Sequence, residues 1–319
     1  MLIRVENLCK SYIVRNVHQG FIKSCFLPKI HQVALNNINM QIDSGEIVGY
    51  IGLNGAGKST TIKLLAGIIS PTSGEIIVDG LDPFKNRIEN AKKIGVLFGH
   101  RSQLIWDLPV KRSFQMNIAL YNIDMVYGMS YIKELYSVLK IDELLDIPVR
   151  LLSLGQRMRC EFCATLLHNP KVLYLDEPTI GMDVLLKKIF RELIKKINRN
   201  FNTTIIYTSH DLNEIEEVCN RIIIIDNGII IFDGTINELK KMHMISNKVI
   251  MTFKSTPINS YGSDDYVLHK INDNKYYFNC ENLDCNALDF INKISRNNNI
   301  NEFEIIKPKL EDIVTKIYS

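Results

Sequence analysis

The segment GLNGAGKST, residues 52–60, constrains the possible folds of this chain more than any other stretch. It follows EIVGYI, an apolar run that predicts a strand, and it opens STTIKLLAGI, whose apolar spacing predicts a helix. A glycine-rich loop of the pattern GxxxxGK[ST] in this context holds phosphate groups with its backbone N–H groups. The segment therefore predicts an α/β fold with a phosphate-binding loop at the end of a strand.

Continuous apolar runs recur along the chain, and helical patterns separate them. Two are KVLYLDEP at 171–178 and TTIIYTSH at 203–210, while DVLLKKIFRELIKKINRN at 183–200 has the period of a helix. Continuous apolarity is typical of strands buried on both faces of a parallel sheet. This alternation predicts an α/β core with right-handed crossovers, into which a helical subdomain of residues about 104–168 is inserted.

The outer segments predict how the chain is divided. Residues 2–14 and 33–42 alternate as strands do, and the irregular segment 15–32 is expected to be a surface insertion. After a first domain of residues 1–235, Asn, Lys and Asp become more frequent. Residues 236–319, with an NDNK turn between two strand-like runs, are expected to form a small α+β domain.

Composition and charge exclude several classes of protein. Hydrophobic residues make up 46% of the chain and charged residues 23%, which is ordinary for a globular protein with a full core. The formal net charge of +3 is too small to predict a nucleic-acid partner. We find no signal-peptide pattern and no apolar run of membrane-spanning length; RIIIIDNGIIIF at 221–232 predicts two buried strands and a turn. The CxxC pair Cys160 and Cys163 is expected to be buried in a reduced protein.

The phosphate loop supplies the first candidate site residues. Its backbone N–H groups are expected to converge on phosphate oxygens, and Lys58 adds a positive charge there. Ser59 offers a hydroxyl to Mg²⁺, which prefers oxygen ligands. The candidate phosphate-contacting residues of this loop are Gly52, Asn54, Gly55, Ala56, Gly57, Lys58, Ser59 and Thr60.

Two further motifs stand at the ends of apolar strands. In VLYLDEPTIGMD, residues 172–183, Asp176 is expected to hold Mg²⁺ and Glu177 to accept a proton from an attacking water. In TSHD, residues 208–211, His210 is expected to hydrogen-bond the γ-phosphate, because ligands of open α/β sheets lie beyond the carboxyl ends of the strands. The catalytic candidates are therefore Glu177, His210 and Lys58, and the metal candidates are Ser59 and Asp176.

A second anion-binding loop is indicated by LSLGQRMR at residues 152–159. Ser153 precedes an apolar-periodic run, so it is expected near the cap of a helix whose N-terminus can bind an anion. The order phosphate loop, LSLGQ, LDEP and TSH over residues 1–235 resembles that of ATP-binding cassette (ABC) ATPases. The resemblance implies a P-loop cassette with a RecA-like core, an antiparallel β subdomain and an inserted helical subdomain. It also implies ATP as the bound nucleotide and Mg²⁺ as the metal.

In that family the LSGGQ-type loop, here residues 152–156 and called the signature loop, closes over ATP held by a second cassette. The resemblance therefore implies a homodimer with two composite sites. Leu154 replaces the first glycine of the usual pair, and we expect Gly155 to keep the loop working. Both sites carry Glu177, so both are expected to hydrolyse ATP. The residues expected at the partner's site are Ser153, Gly155 and Gln156, followed by a helix beginning near Arg157.

Two more positions match family residues, and each has an alternative interpretation. Tyr12, in CKSY, matches the aromatic residue that stacks on adenine; alternatively, it is a core aromatic at a strand end. Asp183, in TIGMD, matches the aspartate that lies at the dimer seam; alternatively, it is an exposed helix cap.

The sequence departs from the family at FGHRSQLIWDLP, residues 98–109. The family has a glutamine here that contacts Mg²⁺, and the natural register places His100 at that position. Either His100 replaces the glutamine through a bridging water, or Gln103 reaches in after a loop shift. We favour the first, which predicts that the rate of ATP hydrolysis falls at mildly acidic pH, as His100 becomes charged.

Trp106 lies either in the groove that receives a membrane subunit's helix or in the core of the helical subdomain.

The sequence around the motifs is similar to that of ATPases from bacterial drug and antibiotic exporters, whose permeases are separate chains. This resemblance implies an ATP-hydrolysing subunit held peripherally at the cytoplasmic face of the plasma membrane by integral membrane permease subunits. A soluble ABC ATPase without a transport role is the alternative, which the single cassette and the absence of sustained heptads disfavour. A kinase or GTPase would leave LSLGQ and TSH without a role.

Overall fold

The computed structural model describes residues 1–14, 30–99, 102–242, 247–254, 262–263, 266–267, 269–272, 274–280, 291, 295, 299–306 and 309–318. The chain divides into two compact units, Met1–Gly234 and Thr235–Ser319, and each is described by itself. Most of the predicted insertion at 15–32 lies outside the described residues, and its last three residues belong to a strand.

The first unit is built from strands and helices that alternate after two initial strands. Its strands are β1 (Ile3–Val14), β2 (Ile30–Ile42), β3 (Ile47–Ile51), β4 (Ser73–Val78), β5 (Ile94–Phe98), β6 (Val172–Asp176), β7 (Thr204–Thr208), β8 (Arg221–Asp226) and β9 (Ile229–Thr235). Its helices are α1 (Lys58–Leu65), α2 (Arg87–Lys93), α3 (Val110–Leu120), α4 (Met125–Leu139), α5 (Leu154–Leu166), α6 (Val184–Phe201) and α7 (Leu212–Val218).

The central sheet has the strand order β5-β6-β7-β3-β8-β9. Strands β5, β6, β7, β3 and β8 pair in parallel. Every residue of β7 is buried, as are all but one residue of β3 and of β6, which confirms the prediction from their continuous apolar runs. Because the strands are parallel, the residues that follow β3, β6 and β7 emerge at one edge of the sheet.

The hairpin at the other side of the sheet corrects one prediction. Strands β8 and β9 are joined by Asn227 and Gly228, whose φ angles of 46° and 77° are those of a tight hairpin turn. The inner residues of β8 are buried, as predicted. In β9, however, Ile229 and Ile231 are 46% and 47% exposed, because β9 lies at an edge of the sheet and its other face is only partly buried.

A second sheet packs against the central one. Strands β2, β1 and β4 form an antiparallel sheet in that order, as the family resemblance implied. Apolar side chains from this sheet, from α1 and from the central sheet form one buried core, which includes Ile3, Ile38, Ile42, Val48, Tyr50 and Leu65. This core fixes β3 and α1 relative to each other, and therefore positions the loop between them.

Helices α3, α4 and α5 occupy the connection between the adjacent parallel strands β5 and β6, within the predicted helical segment 104–168. The helix after the signature loop begins at Leu154, not near Arg157, because Ser153 and Gln156 close a reciprocal cap at that point. Cys160 and Cys163 in α5 are both buried, as expected.

The second unit contains a four-stranded antiparallel sheet and two helices among its described residues. The strand order is β13-β14-β10-β15, and β13 and β14 form the predicted hairpin. The elements of this unit are α8 (Ile236–Met242), β10 (Asn247–Phe253), β11 (Gly262–Ser263), β12 (Tyr266–Val267), β13 (His269–Asn272), β14 (Lys275–Cys280), β15 (Ile300–Ile306) and α9 (Leu310–Tyr318). Val249, Met251 and Phe253 of β10 are buried, as are Leu310 and Ile313 of α9. No helix in the described parts of the chain is long and apolar enough to cross a membrane.

Candidate active site

The phosphate loop leaves β3 after Ile51 and enters α1 at Lys58. Gly57, directly before the helix, has a φ of 114°, and a Cβ there would lie 2.9 Å from the Ala34 carbonyl oxygen. Only glycine combines this backbone conformation with this close approach of β2. No side chain caps the N-terminus of α1, so its backbone N–H groups can bind an anion.

Lys58 is folded over the loop that precedes it. Its Nζ donates hydrogen bonds to the carbonyl oxygens of Gly52 and Leu53, at 2.6 and 3.1 Å. Burial lowers the pKa of Lys58, while the Glu177 and Asp176 carboxylates act to raise it. Its ammonium group therefore lies between the phosphate loop and the two carboxylates of the LDEP motif.

Asp176 joins three elements at the carboxyl end of β6. One of its carboxylate oxygens accepts a hydrogen bond of 3.0 Å from Ser59 Oγ, and the other accepts one of 2.7 Å from Thr208 Oγ1. Hydroxyl and carboxylate oxygens are the ligands that Mg²⁺ prefers, so Ser59 and Asp176 fit the predicted metal role. Sequence reasoning assigned no role to Thr208, although it opens the TSHD motif, because its contact with Asp176 depends on the pairing of β6 with β7.

Glu177 and His210 form a pair at the same edge of the sheet. Glu177 has a left-handed φ of 55°. Its backbone N–H donates a hydrogen bond of 3.2 Å to the carbonyl oxygen of Thr208. Its Oε1 lies 2.6 Å from His210 Nε2. The carboxylate is 28% exposed and the imidazole 52%, so the pair is open to a ligand from solvent. A carboxylate in this position can accept a proton from water, and the imidazole can hold its orientation.

The signature loop is capped and tightly packed within its own chain. Gln156 N donates to Ser153 Oγ at 3.3 Å, and Ser153 N donates to Gln156 Oε1 at 2.9 Å. Gly155 is buried, and a Cβ there would lie 2.3 Å from the carbonyl oxygen of Gly181. Leu154, at the position of the missing glycine, also packs against Gly181. Gly155 is therefore needed for packing within the chain, while Ser153 remains exposed.

Asp183 and Tyr12 have distinct surroundings. The Asp183 carboxylate caps α6 by accepting a hydrogen bond of 2.8 Å from Leu186 N, and its side chain is exposed. Asp183 is thus an exposed helix cap, as its alternative interpretation predicted. Tyr12 is half-buried on β1, with Lys10 Nζ 5.3 Å from the centre of its ring.

The two candidates for the glutamine position differ. His100 lies outside the described residues. The Gln103 side-chain amide donates to the Val96 carbonyl oxygen at 2.7 Å and to Thr165 Oγ1 at 3.1 Å. These bonds tie Gln103 to β5 and α5, so it could reach the phosphate loop only after both were broken.

Trp106 lies on the surface between β5 and α3. Its side chain is 53% exposed, and the Arg157 guanidinium lies 5.9 Å from the centre of its ring. The interpretation of Trp106 as a core aromatic of the helical subdomain is therefore wrong.

The structure brings together five predicted residues, Lys58, Ser59, Asp176, Glu177 and His210. A phosphate loop beside a carboxylate pair, at the ends of two parallel strands that flank β7, defines a P-loop nucleotide hydrolase. The sequence pattern described as ABC transporter matches residues 35–180. The ABC transporter ATP-binding protein NatA of Bacillus subtilis is 32% identical over 206 residues, which cover 65% of this chain and 83% of NatA. The chain belongs to the ATP-binding proteins of ABC transporters, and it is an ATP hydrolase.

Further comparisons agree with this family. The bacitracin transport ATP-binding protein BcrA of Bacillus licheniformis is 33% identical over 222 residues, covering 69% of this chain and 71% of BcrA. Methionine import ATP-binding proteins are also among the relatives. The solved ATP-binding cassette MJ0796, a dimeric post-hydrolysis state bound to ADP and Pi, has a TM-score of 0.63 at 23% identity. The match covers 73% of this chain and 98% of that cassette, which shows that the two share a fold.

Proposed function

We propose that this chain is the ATP-hydrolysing subunit of an ABC exporter. Two copies form two composite ATP sites and drive separate integral membrane permease subunits. The observation that carries the hydrolytic mechanism is the meeting of the Ser59–Asp176 and Glu177–His210 contacts at one edge of the central sheet. Two observations support export. The sequence around the motifs resembles that of ATPases from drug and antibiotic exporters, and one relative is named for bacitracin transport.

ATP is held by the phosphate loop and its helix. The uncapped N-terminus of α1 and the loop N–H groups bind the phosphate oxygens, and Lys58 exchanges its carbonyl partners for the β- and γ-phosphates. Tyr12 stacks on adenine. Mg²⁺, held by Ser59 and Asp176, would neutralise charge on the phosphate oxygens.

Hydrolysis depends on Glu177 and His210. The Glu177 carboxylate accepts a proton from water as the water oxygen bonds to the γ-phosphorus and the bond to the leaving ADP oxygen breaks. His210 holds the Glu177 carboxylate and donates to the γ-phosphate; either His100 or Gln103 completes the site. Glu177 follows Asp176 directly, so the proposed base and the proposed metal ligand come from the same strand end, which supports this mechanism.

A second copy supplies the remaining contacts. Ser153 is exposed at the N-terminus of α5, and Asp183 is exposed at the N-terminus of α6. Beside Asp183, Val184 and Leu185 are 83% and 60% exposed, which is a large apolar surface for the start of a helix. We infer that this surface is covered in an ATP-bound homodimer, in which each signature loop contacts the γ-phosphate of the partner's ATP.

A membrane subunit is expected to bind the helical subdomain. Exposed apolar side chains between β5 and α3 and on α3 itself include those of Trp106, Met116 and Leu120, which are 53%, 51% and 80% exposed. This surface fits an apolar cytoplasmic helix of a permease, which would hold the chain peripherally at the cytoplasmic face of the plasma membrane. The modest charge of +3 gives no reason to expect a nucleic-acid partner.

The test is to tag the chain, extract native membranes gently and identify the proteins that co-purify. Stoichiometric polytopic membrane proteins are expected, and their recovery should fall with Trp106→Ala. The matched control is Ile88→Ala, at an isoleucine of α2 that is 75% exposed. Ribosomes, DNA or no membrane protein would instead favour a soluble ABC ATPase. With ATP added outside inside-out vesicles, accumulation of substrate inside them would establish export, and ATP-dependent loss would contradict it.

A further inference from the structure

Glu214, on α7, is a buried carboxylate that the mechanism above does not use. Its side chain is only 1% exposed. A carboxylate at such depth is stable only when donors surround it, because an unpaired buried charge is costly. Its sequence context, LNEIEEV, gives no sign of this, since neighbouring glutamates on the same helix are ordinary surface residues.

Four donor groups converge on the Glu214 carboxylate. Lys187 Nζ lies 3.0 Å from one oxygen. The Thr179 hydroxyl lies between the two carboxylate oxygens, at 2.8 and 3.0 Å from them. Ser209 Oγ and Tyr207 OH each donate a hydrogen bond of 3.0 Å to one of these oxygens. A single carboxylate thus connects four separate positions of the chain.

The positions of two donors relate Glu214 to hydrolysis. Thr179 lies two residues after Glu177, and Ser209 lies directly before His210. Each of the two loops that carry the catalytic pair is therefore fixed to Glu214 by a hydroxyl group. His210 itself is half exposed, so its ring is positioned largely by its backbone neighbours and by its contact with Glu177.

We propose that Glu214 is a positioning residue for ATP hydrolysis, which holds the Glu177 and His210 loops in register through Thr179 and Ser209. This inference rests on the roles proposed above for Glu177 and His210. It predicts an effect on the chemical step and not on nucleotide affinity, because none of the Glu214 partners belongs to the phosphate loop.

The first experiment compares Glu214→Gln with Glu217→Gln in the full chain. Glu217 is on the same helix, is 54% exposed and pairs with Arg191 at 2.8 Å, so the control makes the same chemical change at the surface. For Glu214→Gln we expect kcat to fall by about tenfold or more, with KM and the binding of a non-hydrolysable ATP analogue within about twofold. Unchanged kcat, or weaker analogue binding that accounts for the loss, would overturn the proposal.

A double-mutant cycle separates positioning from general destabilisation. If Glu214 acts through His210, Glu214→Gln should cost little further activity in a His210→Ala background. Losses that multiply would contradict the part of the proposal that runs through Ser209 and His210. Should Glu214→Gln fold poorly, Thr179→Val and Ser209→Ala each remove one donor, and each should lower kcat several-fold without changing analogue binding. Normal kcat in both would contradict the proposal, whereas normal turnover in Glu177→Gln would contradict the proposed function itself.

Discussion

At the scale of single residues, Glu177 has the most demanding conformation of the candidate site. It follows β6 with a φ of 55°, a left-handed conformation that costs a non-glycine residue roughly 1 kcal/mol or more. Hydrogen bonds from its N–H to Thr208 and from His210 to its carboxylate offset this cost. The conformation turns the carboxylate away from the strand direction and towards the histidine.

Glu177→Gln should keep this backbone and remove the base. We expect turnover to fall by about 10²–10⁴-fold, since an amide cannot accept the proton of the attacking water. Because binding is retained, the variant should also accumulate as an ATP-stabilised dimer. Steady-state phosphate release and size-exclusion chromatography with saturating ATP check both effects.

Glu192→Gln is a suitable control, at a carboxylate that is 68% exposed on α6. A Glu177→Gln chain that turns over ATP normally would exclude Glu177 as the base. One that stays monomeric at saturating ATP would count against the composite site.

The site residues that sequence could predict are those with motif neighbours. Lys58, Asp176 and His210 each stand in a short pattern at the end of a strand, and the structure brings them to one edge. Glu214 stands in no such pattern, and the TSHD pattern gives no role to Thr208, because the contacts of both residues depend on which strands and loops meet in space. A threonine in a strand and a glutamate in an acidic helix look the same wherever they pack.

At the scale of elements, the same distinction holds. The buried strands β3, β6 and β7 were predictable because burial on both faces leaves a continuous apolar run. The exposure of β9 was not, because an edge strand and a central strand can share one apolar pattern. The cap at Ser153 was predicted, whereas the start of α5 was misplaced because its apolar period becomes regular only after the first turn.

One charged cluster connects elements that sequence alone would not relate. Asp79, directly after β4, lies 2.7 Å from Lys93 Nζ at the end of α2 and 3.1 Å from Lys171 Nζ before β6. Burial acts to raise the pKa of Asp79, but its bonds to the two lysines leave this pKa below its usual value. The cluster should therefore stabilise the fold only while Asp79 is ionised.

Asp79→Asn should lower the free energy of unfolding at neutral pH by about 1–2 kcal/mol. Because the folded pKa is lowered, this contribution is complete above the unfolded pKa and is lost as pH falls through the folded pKa. The difference between wild type and variant should thus shrink below about pH 4. Urea denaturation across pH measures it, with Glu89→Gln as the control.

Glu89 makes an exposed ion pair of 2.9 Å with Lys92, which should contribute little. A constant difference between wild type and Asp79→Asn at all pH values would show that the Asp79 charge is not what stabilises the cluster.

At the scale of the whole molecule, one chain brings together only some of the predicted site residues. The phosphate loop, the carboxylates and His210 meet within the first unit. The exposed Ser153 and Asp183 make helix-capping bonds there. A homodimer would bring the signature loop of one copy to the phosphate loop of the other, so every working site would need half of each chain.

This arrangement predicts that two inactive variants restore each other. Glu177→Gln damages the catalytic half of a site, and Ser153→Arg damages the half given to the partner. In a mixed dimer one site has both defects and the other has none, so an equal mixture should recover about one quarter of the wild-type rate. Phosphate release from mixtures at varied ratios measures this. The matched control mixes Glu177→Gln with Lys58→Ala, in which both defects lie in the catalytic half, and no mixed dimer has an intact site. No recovery with Ser153→Arg would mean that each chain hydrolyses ATP without its partner's signature loop. Recovery in the control would mean that the two chains share the catalytic half itself, which would also contradict the proposed arrangement.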